Sequence, residues 1–192
     1  MLVLRHRSLA VLLVACALLS VRDAATAQLS GLASAKPTAE PKVTFGPFKE
    51  WVASVAISPD GEYVVTGTYD EVQVSKLGSP KSIQIVKHKL GRVRCLAFSP
   101  DGKQVFAGGF RKIVVLNASS WKVENELSGH RAYVTDLSIS PDGKTLATTS
   151  EDATLRLWNL SDGTSRVLHQ EKEDPVTGVA FSATGGRVAA TS

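Results

Sequence analysis

The sequence Ser58-Pro59-Asp60-Gly61 returns unchanged at residues 99–102 and 140–143, each copy 41 residues after the one before. Proline at the second position of such a turn holds φ near −65°, and glycine at the fourth accepts a positive φ, so the chain reverses tightly. Alternating apolar runs flank every copy, which is the pattern of β hairpins. A fixed period of about 40 residues built from hairpins predicts repeated four-stranded sheets.

Each repeat contains four short runs that are typical of β strands. A final copy begins at Val176, but Ala183-Thr184-Gly185-Gly186 replaces the proline–aspartate turn before the sequence reaches Ser192. We therefore expect an all-β protein with three complete four-stranded units and part of a fourth. The predicted strands are 52–57, 63–68, 72–77 and 82–87; 93–98, 105–109, 113–117 and 122–128; and 134–139, 145–150, 154–159 and 165–169.

The third repeat resembles a complete WD (Trp-Asp) repeat. The resemblance rests on Gly129-His130, the turn at 140–143, Asp152 and the run Leu155-Arg156-Leu157-Trp158-Asn159, and the repeated period extends it over residues 46–192. It implies a WD-repeat β-propeller, in which each four-stranded sheet is one blade. Closed propellers need several blades that cover one another's apolar faces. We expect this chain to be a fragment of a closed, seven-bladed ring, or to complete a ring by self-association.

In WD repeats a histidine, a strand Ser or Thr, a turn aspartate and a tryptophan form a hydrogen-bonded set inside one blade. The resemblance assigns these structural roles to His130, Thr148, Asp152 and Trp158. Buried indole and imidazole nitrogens require hydrogen-bond partners, so the set is expected to stabilise the blade. The alternative interpretation is a catalytic Asp–His pair.

The other two repeats lack parts of this set. The first keeps Thr66 and Asp70 but has Phe48 and Lys76 at the histidine and tryptophan positions. The second replaces all four members, so we expect it to rest on packing alone. Its residues at these positions are Lys89, Ala107, Arg111 and Asn117.

The resemblance also implies a rim that contacts a partner protein. In WD-repeat propellers such contacts concentrate just before each inner strand and just before the turn aspartate. Aromatic and arginine side chains recur at the matching positions, and these are the side chains most often found in interface hot spots. The aromatic rings could instead fill gaps between blades, and the sequence leaves both interpretations open. The candidate rim comprises Lys49, Trp51, Tyr69, Arg92, Phe110, Arg131, Tyr133 and Glu151.

The N-terminus has the pattern of a secretory signal peptide at residues 1–27. Arg5 and Arg7 precede an apolar run at 9–19, and the segment ends in the small residues 25–27. The run is too short to span a membrane, so we expect an exported protein, periplasmic or extracellular. An alternative is a lipoprotein signal that would make Cys16 a lipid anchor. Residues 28–45 read as a flexible linker, and the WD-repeat resemblance implies that its end, 43–45, is a candidate ring-closing strand.

Composition and motifs argue against several function classes. The net charge is +4 overall and +2 for residues 28–192, which is not typical of a nucleic-acid-binding protein. The histidines lack metal-ligand spacing, and no catalytic or phosphate-binding motif occurs, so we expect no metal, no cofactor and no catalysis. Cys95 is expected to be a packing residue.

We therefore predict a non-catalytic, exported scaffold for an unknown protein partner. Two alternatives stay open. One is a propeller with a ligand-binding or enzymatic central channel, and the other is a regulatory propeller of a longer enzyme that continues beyond Ser192. The fold alone does not choose between them, because propellers host both activities and scaffolding.

Overall fold

The structure is a computed structural model that describes residues 50–79 and 82–192. The predicted signal peptide, lipid-anchor site and linker lie outside these residues, as do Phe48 and Lys49. The described part contains strands and turns and no helix. The strands are β1 (Ser54–Ile57), β2 (Tyr63–Gly67), β3 (Tyr69–Lys76), β4 (Ser82–Arg92), β5 (Cys95–Phe98), β6 (Gln104–Gly108), β7 (Phe110–Asn117), β8 (Val123–Ile139), β9 (Thr145–Ser150), β10 (Thr154–Asn159), β11 (Ser165–Gln170), β12 (Gly178–Phe181) and β13 (Val188–Thr191).

The strands form the predicted antiparallel blades. Blade 1 has the order β1-β2-β3-β4, and blade 2 consists of β5, β6, β7 and the first part of β8. Blade 3 consists of the last part of β8 with β9, β10 and β11, and β12 and β13 form a partial blade 4. The expectation of three complete blades and part of a fourth is confirmed for the described residues.

Several predicted strand boundaries are wrong, chiefly because the chain stays extended between blades; β3 and β7 also begin three residues earlier than predicted, at Tyr69 and Phe110. The separate strands expected at 122–128 and 134–139 are one strand, β8, which pairs with β7 up to Tyr133 and with β9 from Val134. Likewise β4 runs on to Arg92, which pairs with Tyr69. A register shift in the β7–β8 ladder and another in the β8–β9 ladder accompany the passage of β8 from blade 2 to blade 3.

The repeated turns have the expected geometry. The N–H of Gly102 donates to the carbonyl of Ser99 at 2.9 Å, and φ of Gly102 is +70°. The fourth copy closes in the same way, with Gly185 N–H 2.8 Å from the Ser182 carbonyl and a φ of +73°. The turn therefore survives the loss of proline and aspartate, because the serine carbonyl and the glycine still supply the hydrogen bond and the positive φ.

The apolar core lies between neighbouring blades. Val65 and Val74 of blade 1 pack with Val105 and Leu116 of blade 2 in one cluster. A second cluster joins blades 2 and 3, and a smaller one joins blade 3 to blade 4. Each blade thus buries its faces against its neighbours, as expected for a repeat protein.

Blade 2 has no hydrogen-bonded set and is held by packing. Ala107 occupies the position of Thr148 and is fully buried in the core between blades 1 and 2. Trp121 packs edge-on against Tyr63 of blade 1, with ring centroids 5.3 Å apart. Cys95 is buried with its Sγ 3.9 Å from the Val134 carbonyl. Burial, with a contribution from Asp136, raises the pKa of this thiol, so it stays protonated and acts as an apolar packing group.

Candidate functional site

Four side chains of blade 3 form one continuous chain of hydrogen bonds. The indole Nε1 of Trp158, on β10, donates to Thr148 Oγ1, on β9, at 2.8 Å. The same hydroxyl lies 2.8 Å from His130 Nε2. His130, on β8, places its Nδ1 2.9 Å from Asp152 Oδ2 in the β9–β10 turn. These are the four residues to which the WD-repeat resemblance assigns structural roles.

The donors and acceptors in this chain determine the histidine tautomer. Asp152 is ionised and its carboxylate can only accept, so His130 Nδ1 carries a ring proton and donates it to Asp152. The indole N–H of Trp158 donates to Thr148 Oγ1, and this hydroxyl donates its own proton to Nε2 of the neutral imidazole. Burial lowers the pKa of His130, although the hydrogen bond to Asp152 and its charge oppose the shift. The imidazole is therefore neutral at pH 7.

Asp152 has further partners that sequence reasoning missed. Its Oδ1 accepts hydrogen bonds from Thr154 Oγ1 at 2.5 Å and from Thr154 N–H at 3.0 Å, and its Oδ2 accepts Arg131 N–H at 2.8 Å. Burial raises the pKa of Asp152, but these hydrogen bonds and the one from His130 outweigh it and lower the pKa to about 2. The hydrogen bonds from Thr154 could be predicted from the sequence, because a threonine two residues after an aspartate is a signal for this local turn. The hydrogen bond from Arg131 N–H could not, because it joins residues 21 positions apart in the folded chain.

The Asp–His pair is closed to solvent. The side chain of His130 is 0% exposed and that of Asp152 4%. A general acid or base must reach the proton it transfers on a bound substrate, and here every polar atom of the imidazole already contacts protein. The arrangement holds the part of β8 that crosses from blade 2 to blade 3 against the β9–β10 turn.

Blade 1 has only part of this arrangement. Asp70 Oδ1 accepts the N–H of Gly91 at 2.6 Å, so this carboxylate also ties the loop that follows to its turn. Thr66 is buried on β2 without the indole and imidazole partners of Thr148. The first blade thus has one hydrogen bond from a backbone N–H to its turn aspartate, comparable to that between Arg131 and Asp152 in blade 3.

At the rim, the structure brings together residues of blades 2 and 3. The rings of Phe110 and Tyr133 lie 5.1 Å apart, and Phe110 is 43% exposed. The guanidinium of Arg94 lies 4.5 Å from the centroid of the Tyr133 ring and forms an ion pair with Glu151. Tyr133 is half-buried, so it both packs between blades and borders the surface. Arg94 is a rim residue that the repeat pattern did not indicate.

Two exposed arginines extend this cluster. The guanidinium of Arg111 lies 5.0 Å from the Phe110 centroid, and its Nε donates to the carbonyl of Arg131 at 3.0 Å. The N–H of Arg131 is held by Asp152. Both backbone polar groups of Arg131 are therefore engaged, and its exposed side chain projects from a rigid position.

The remaining described rim residues belong to blade 1 and its junction with blade 2. Tyr69 is 57% exposed and pairs in register with Arg92, which is also exposed. Trp51 holds the repeat position equivalent to Arg92 and Tyr133, and 83% of it is exposed. Lys49 lies outside the described residues.

Comparison with known protein families agrees with this geometry. The family model described as "WD domain, G-beta repeat" (WD40) matches residues 39–72, 80–116 and 121–159, together more than half of the chain. The chain belongs to the WD40 family. No curated protein matches this WD40 sequence significantly.

Solved WD40 structures share its fold. The crystal structure of the RRP9 WD40 repeats superimposes with a TM-score of 0.65 at 21% sequence identity, over 71% of this chain and 43% of the other. The structure of U3-55K has the same TM-score and identity, over 71% of this chain and 44% of the other. The chain thus spans less than half the length of these two structures, and the likeness concerns the fold alone.

The WD40 blades described here hold no group of three or more His, Cys, Asp or Glu side chains that could bind a metal ion. Residues 50–79 and 82–192 also contain no helix with the length and apolar character of a membrane span.

Acidification should destabilise this WD40 domain between pH 7.5 and 5.5. His130 has a folded-state pKa below its ordinary value of 6.5, so below that pH the unfolded chain binds a proton that the folded chain resists. Asp152 stays ionised throughout this range because its pKa is about 2. Urea unfolding at the two pH values measures the change. His130→Gln should reduce the pH dependence of the free energy of unfolding, and an unchanged dependence in this variant would contradict the assignment.

Proposed function

We propose that this WD40 propeller is a non-catalytic scaffold that binds a partner protein through its rim. The observation that carries the proposal is the exposure of Trp51 at a rim position, with the exposed rings of Tyr69 and Phe110 at equivalent loops of blades 1 and 2. Large aromatic side chains supply much of the binding energy in protein interfaces because they combine wide apolar contact with few rotatable bonds. A rim rich in such rings fits a protein contact.

The chemistry of the described residues supports the non-catalytic part of the proposal. His130 and Asp152, the pair that most resembles catalytic machinery, are buried and fully engaged with protein groups. Cys95 is buried with a raised pKa, so it is a poor nucleophile. Each of these groups has a structural role that accounts for its presence.

We also propose that the protein is exported. Support comes from the basic, apolar and small-residue segments of residues 1–27. Mass spectrometry of the protein secreted or exported by its producing cell should find an N-terminus at Gln28. A lipid-modified N-terminus at Cys16 would favour anchoring instead, and an intact Met1 would contradict export.

Trp51→Ala should weaken partner binding without changing the melting temperature. The ring is 83% exposed and so contributes little to the core, while truncation of an interface hot spot costs about 2 kcal/mol or more, which corresponds to a loss of affinity of about 30-fold or more. Cross-linking in the producing cell followed by mass spectrometry would identify the partner, and titration of the purified pair would measure its affinity.

The matched control is Ile83→Ala. Ile83 is 51% exposed on β4, an outer strand away from the rim loops, so its truncation also removes exposed apolar surface. A partner that binds wild type and Ile83→Ala equally but binds Trp51→Ala weakly supports the proposal. A partner that is indifferent to Trp51 would place the interface elsewhere and overturn it.

A further inference from the structure

We propose that the rim of blades 2 and 3 binds an acidic, extended protein segment, an inference that rests on the proposed scaffold function. The segment would place its carboxylates against Arg92, Arg111 and Arg131 and its apolar side chains against Phe110 and Tyr133. The proposal adds the chemical class of the partner to the surface identified above.

The three arginines carry uncompensated positive charge. Each is exposed, and within residues 50–79 and 82–192 none forms an ion pair with a carboxylate. Guanidinium groups bind carboxylates with two parallel hydrogen bonds, which gives such pairs both strength and geometric specificity. Three unpaired guanidinium groups on one rim therefore favour a partner with several carboxylates.

One of these cations, Arg111, is held in place before any partner arrives, and the backbone that carries a second, Arg131, is fixed. Arg111 stacks over Phe110 at 5.0 Å and donates to the carbonyl of Arg131. Arg131 in turn donates its N–H to Asp152, whose carboxylate is anchored by the buried His130. Binding then loses less conformational entropy than it would with freely rotating side chains.

The aromatic pair supplies the apolar part of the surface. Phe110 and Tyr133 contact each other at 5.1 Å, and Tyr133 is covered on one side by Arg94. The charge of Arg94 is already neutralised by Glu151, so Arg94 supports the Tyr133 ring. The partner's carboxylates would therefore bind the other arginines. A segment that alternates acidic and apolar residues would match this arrangement.

A nucleic acid also carries negative charge and stacks on aromatic rings, but the rim fits it less well. Nucleic-acid surfaces follow the phosphate backbone with a continuous track of cations. Here Glu151 lies within the cluster, and the acidic segment 171–174 borders it. That segment is tied to the same rim by Glu171 N–H, which donates to the Ala153 carbonyl at 2.9 Å. These carboxylates would repel a phosphate chain that continued toward blade 4, and they confine the acidic residues of a bound segment to positions that face Arg92, Arg111 and Arg131.

The test is fluorescence anisotropy of labelled 12-residue probes titrated with the full chain. One peptide alternates glutamate with leucine or phenylalanine, a second has glutamine in place of glutamate, and a third probe is a single-stranded RNA of similar length. The acidic peptide should bind at least about tenfold more tightly than its glutamine counterpart, and added salt should weaken it. Preference for the RNA, or equal binding of the two peptides, would overturn the proposal.

Arg131→Glu should weaken the acidic peptide by about tenfold or more, because like charges would then face each other. The matched control is Arg187→Glu, which makes the same charge change in the exposed β12–β13 turn at the opposite end of the blades. An equal loss of peptide affinity in both variants would show that only the overall charge matters, which would contradict a specific site at the rim. If Arg131→Glu lowers the melting temperature, Arg92→Glu provides the same test at a residue without recorded side-chain contacts.

The two proposals can fail separately. If a cellular partner depends on Trp51 but the acidic peptide does not depend on Arg131, the scaffold function stands and the acidic chemistry is wrong. If binding of every partner is unaffected by Trp51→Ala while the peptide requires Arg131, the acidic-segment site stands and the scaffold proposal built on Trp51 is wrong. If Trp51→Ala does not weaken binding of a cellular partner and Arg131→Glu does not weaken binding of the acidic peptide, both proposals are wrong.

Discussion

Trp158→Ala should lower the free energy of unfolding by about 3–5 kcal/mol. The indole is 1% exposed and packs in the cluster that joins blades 2 and 3, so its removal leaves a cavity between blades. The substitution also removes the indole N–H that donates to Thr148 Oγ1, which disturbs the chain of hydrogen bonds to His130. Urea or guanidinium denaturation followed by circular dichroism would measure the loss.

The same substitution at Trp51 is the control. Since that ring is 83% exposed, Trp51→Ala should change stability by no more than about 0.5 kcal/mol. The two variants differ only in where the tryptophan lies. Similar stabilities for both would show that Trp158 does not support the blade as the structure indicates.

Asp152→Asn should destabilise the protein by about 2–4 kcal/mol, since each unsatisfied buried polar group costs on the order of 1–3 kcal/mol. The carboxylate accepts from Thr154 through one oxygen and from His130 and Arg131 through the other. An amide replaces one of these acceptors by a donor, so at least one set of donors loses its partner. The size and shape of the side chain barely change, which isolates the hydrogen bonds.

Asp70→Asn is the matched change in blade 1 and should have an effect below about 0.5 kcal/mol. Asp70 accepts one recorded hydrogen bond, from Gly91 N–H, and an asparagine oxygen can accept it equally well. Its φ of +57° is also a conformation that asparagine tolerates. Thermal unfolding of both variants gives the comparison. A loss of stability above about 0.5 kcal/mol for Asp70→Asn would mean that the turn of blade 1 depends on the negative charge of Asp70.

The contrast between blades 2 and 3 could be read in the sequence and has a clear physical basis. Blade 3 satisfies buried polar groups with one another, whereas blade 2 replaces them with apolar or exposed ones, such as Ala107 in the core and Arg111 at the rim. Both solutions leave few buried polar atoms without partners, which is the requirement that any core must meet. Because blade 2 lacks the hydrogen-bonded set, the side chain of Arg111 lies at the surface.

Local patterns predicted the strands well and their ends less well. Turn residues and alternation specify a hairpin through interactions between near neighbours in sequence, so these signals are readable. Whether β8 stops or continues between blades depends on hydrogen bonds to β7 on one side and β9 on the other. Those partners come from two different sheets, and no local pattern encodes them.

The rim was predicted by position, but its internal organisation was not. The repeat spacing pointed to Phe110, Tyr133 and Glu151 as separate candidates at matching loops. Their connection through Arg94, which stacks on Tyr133 and pairs with Glu151, brings together residues far apart in sequence. The same holds for the contact between Arg111 and the Arg131 carbonyl.

By itself, the sequence determined the repeat, the hairpin turns, the all-β class and the blade that carries the hydrogen-bonded set. These follow from period, turn chemistry and residue type, which act over a few residues or recur at a fixed interval. The tertiary structure decided which rim residues are free and which are engaged. Burial of Cys95 depends on how neighbouring blades pack, because its Sγ lies against the carbonyl of Val134, 39 residues further along the chain. The fixed backbone of Arg131 depends on contacts with Asp152 and Arg111, each about half a repeat away.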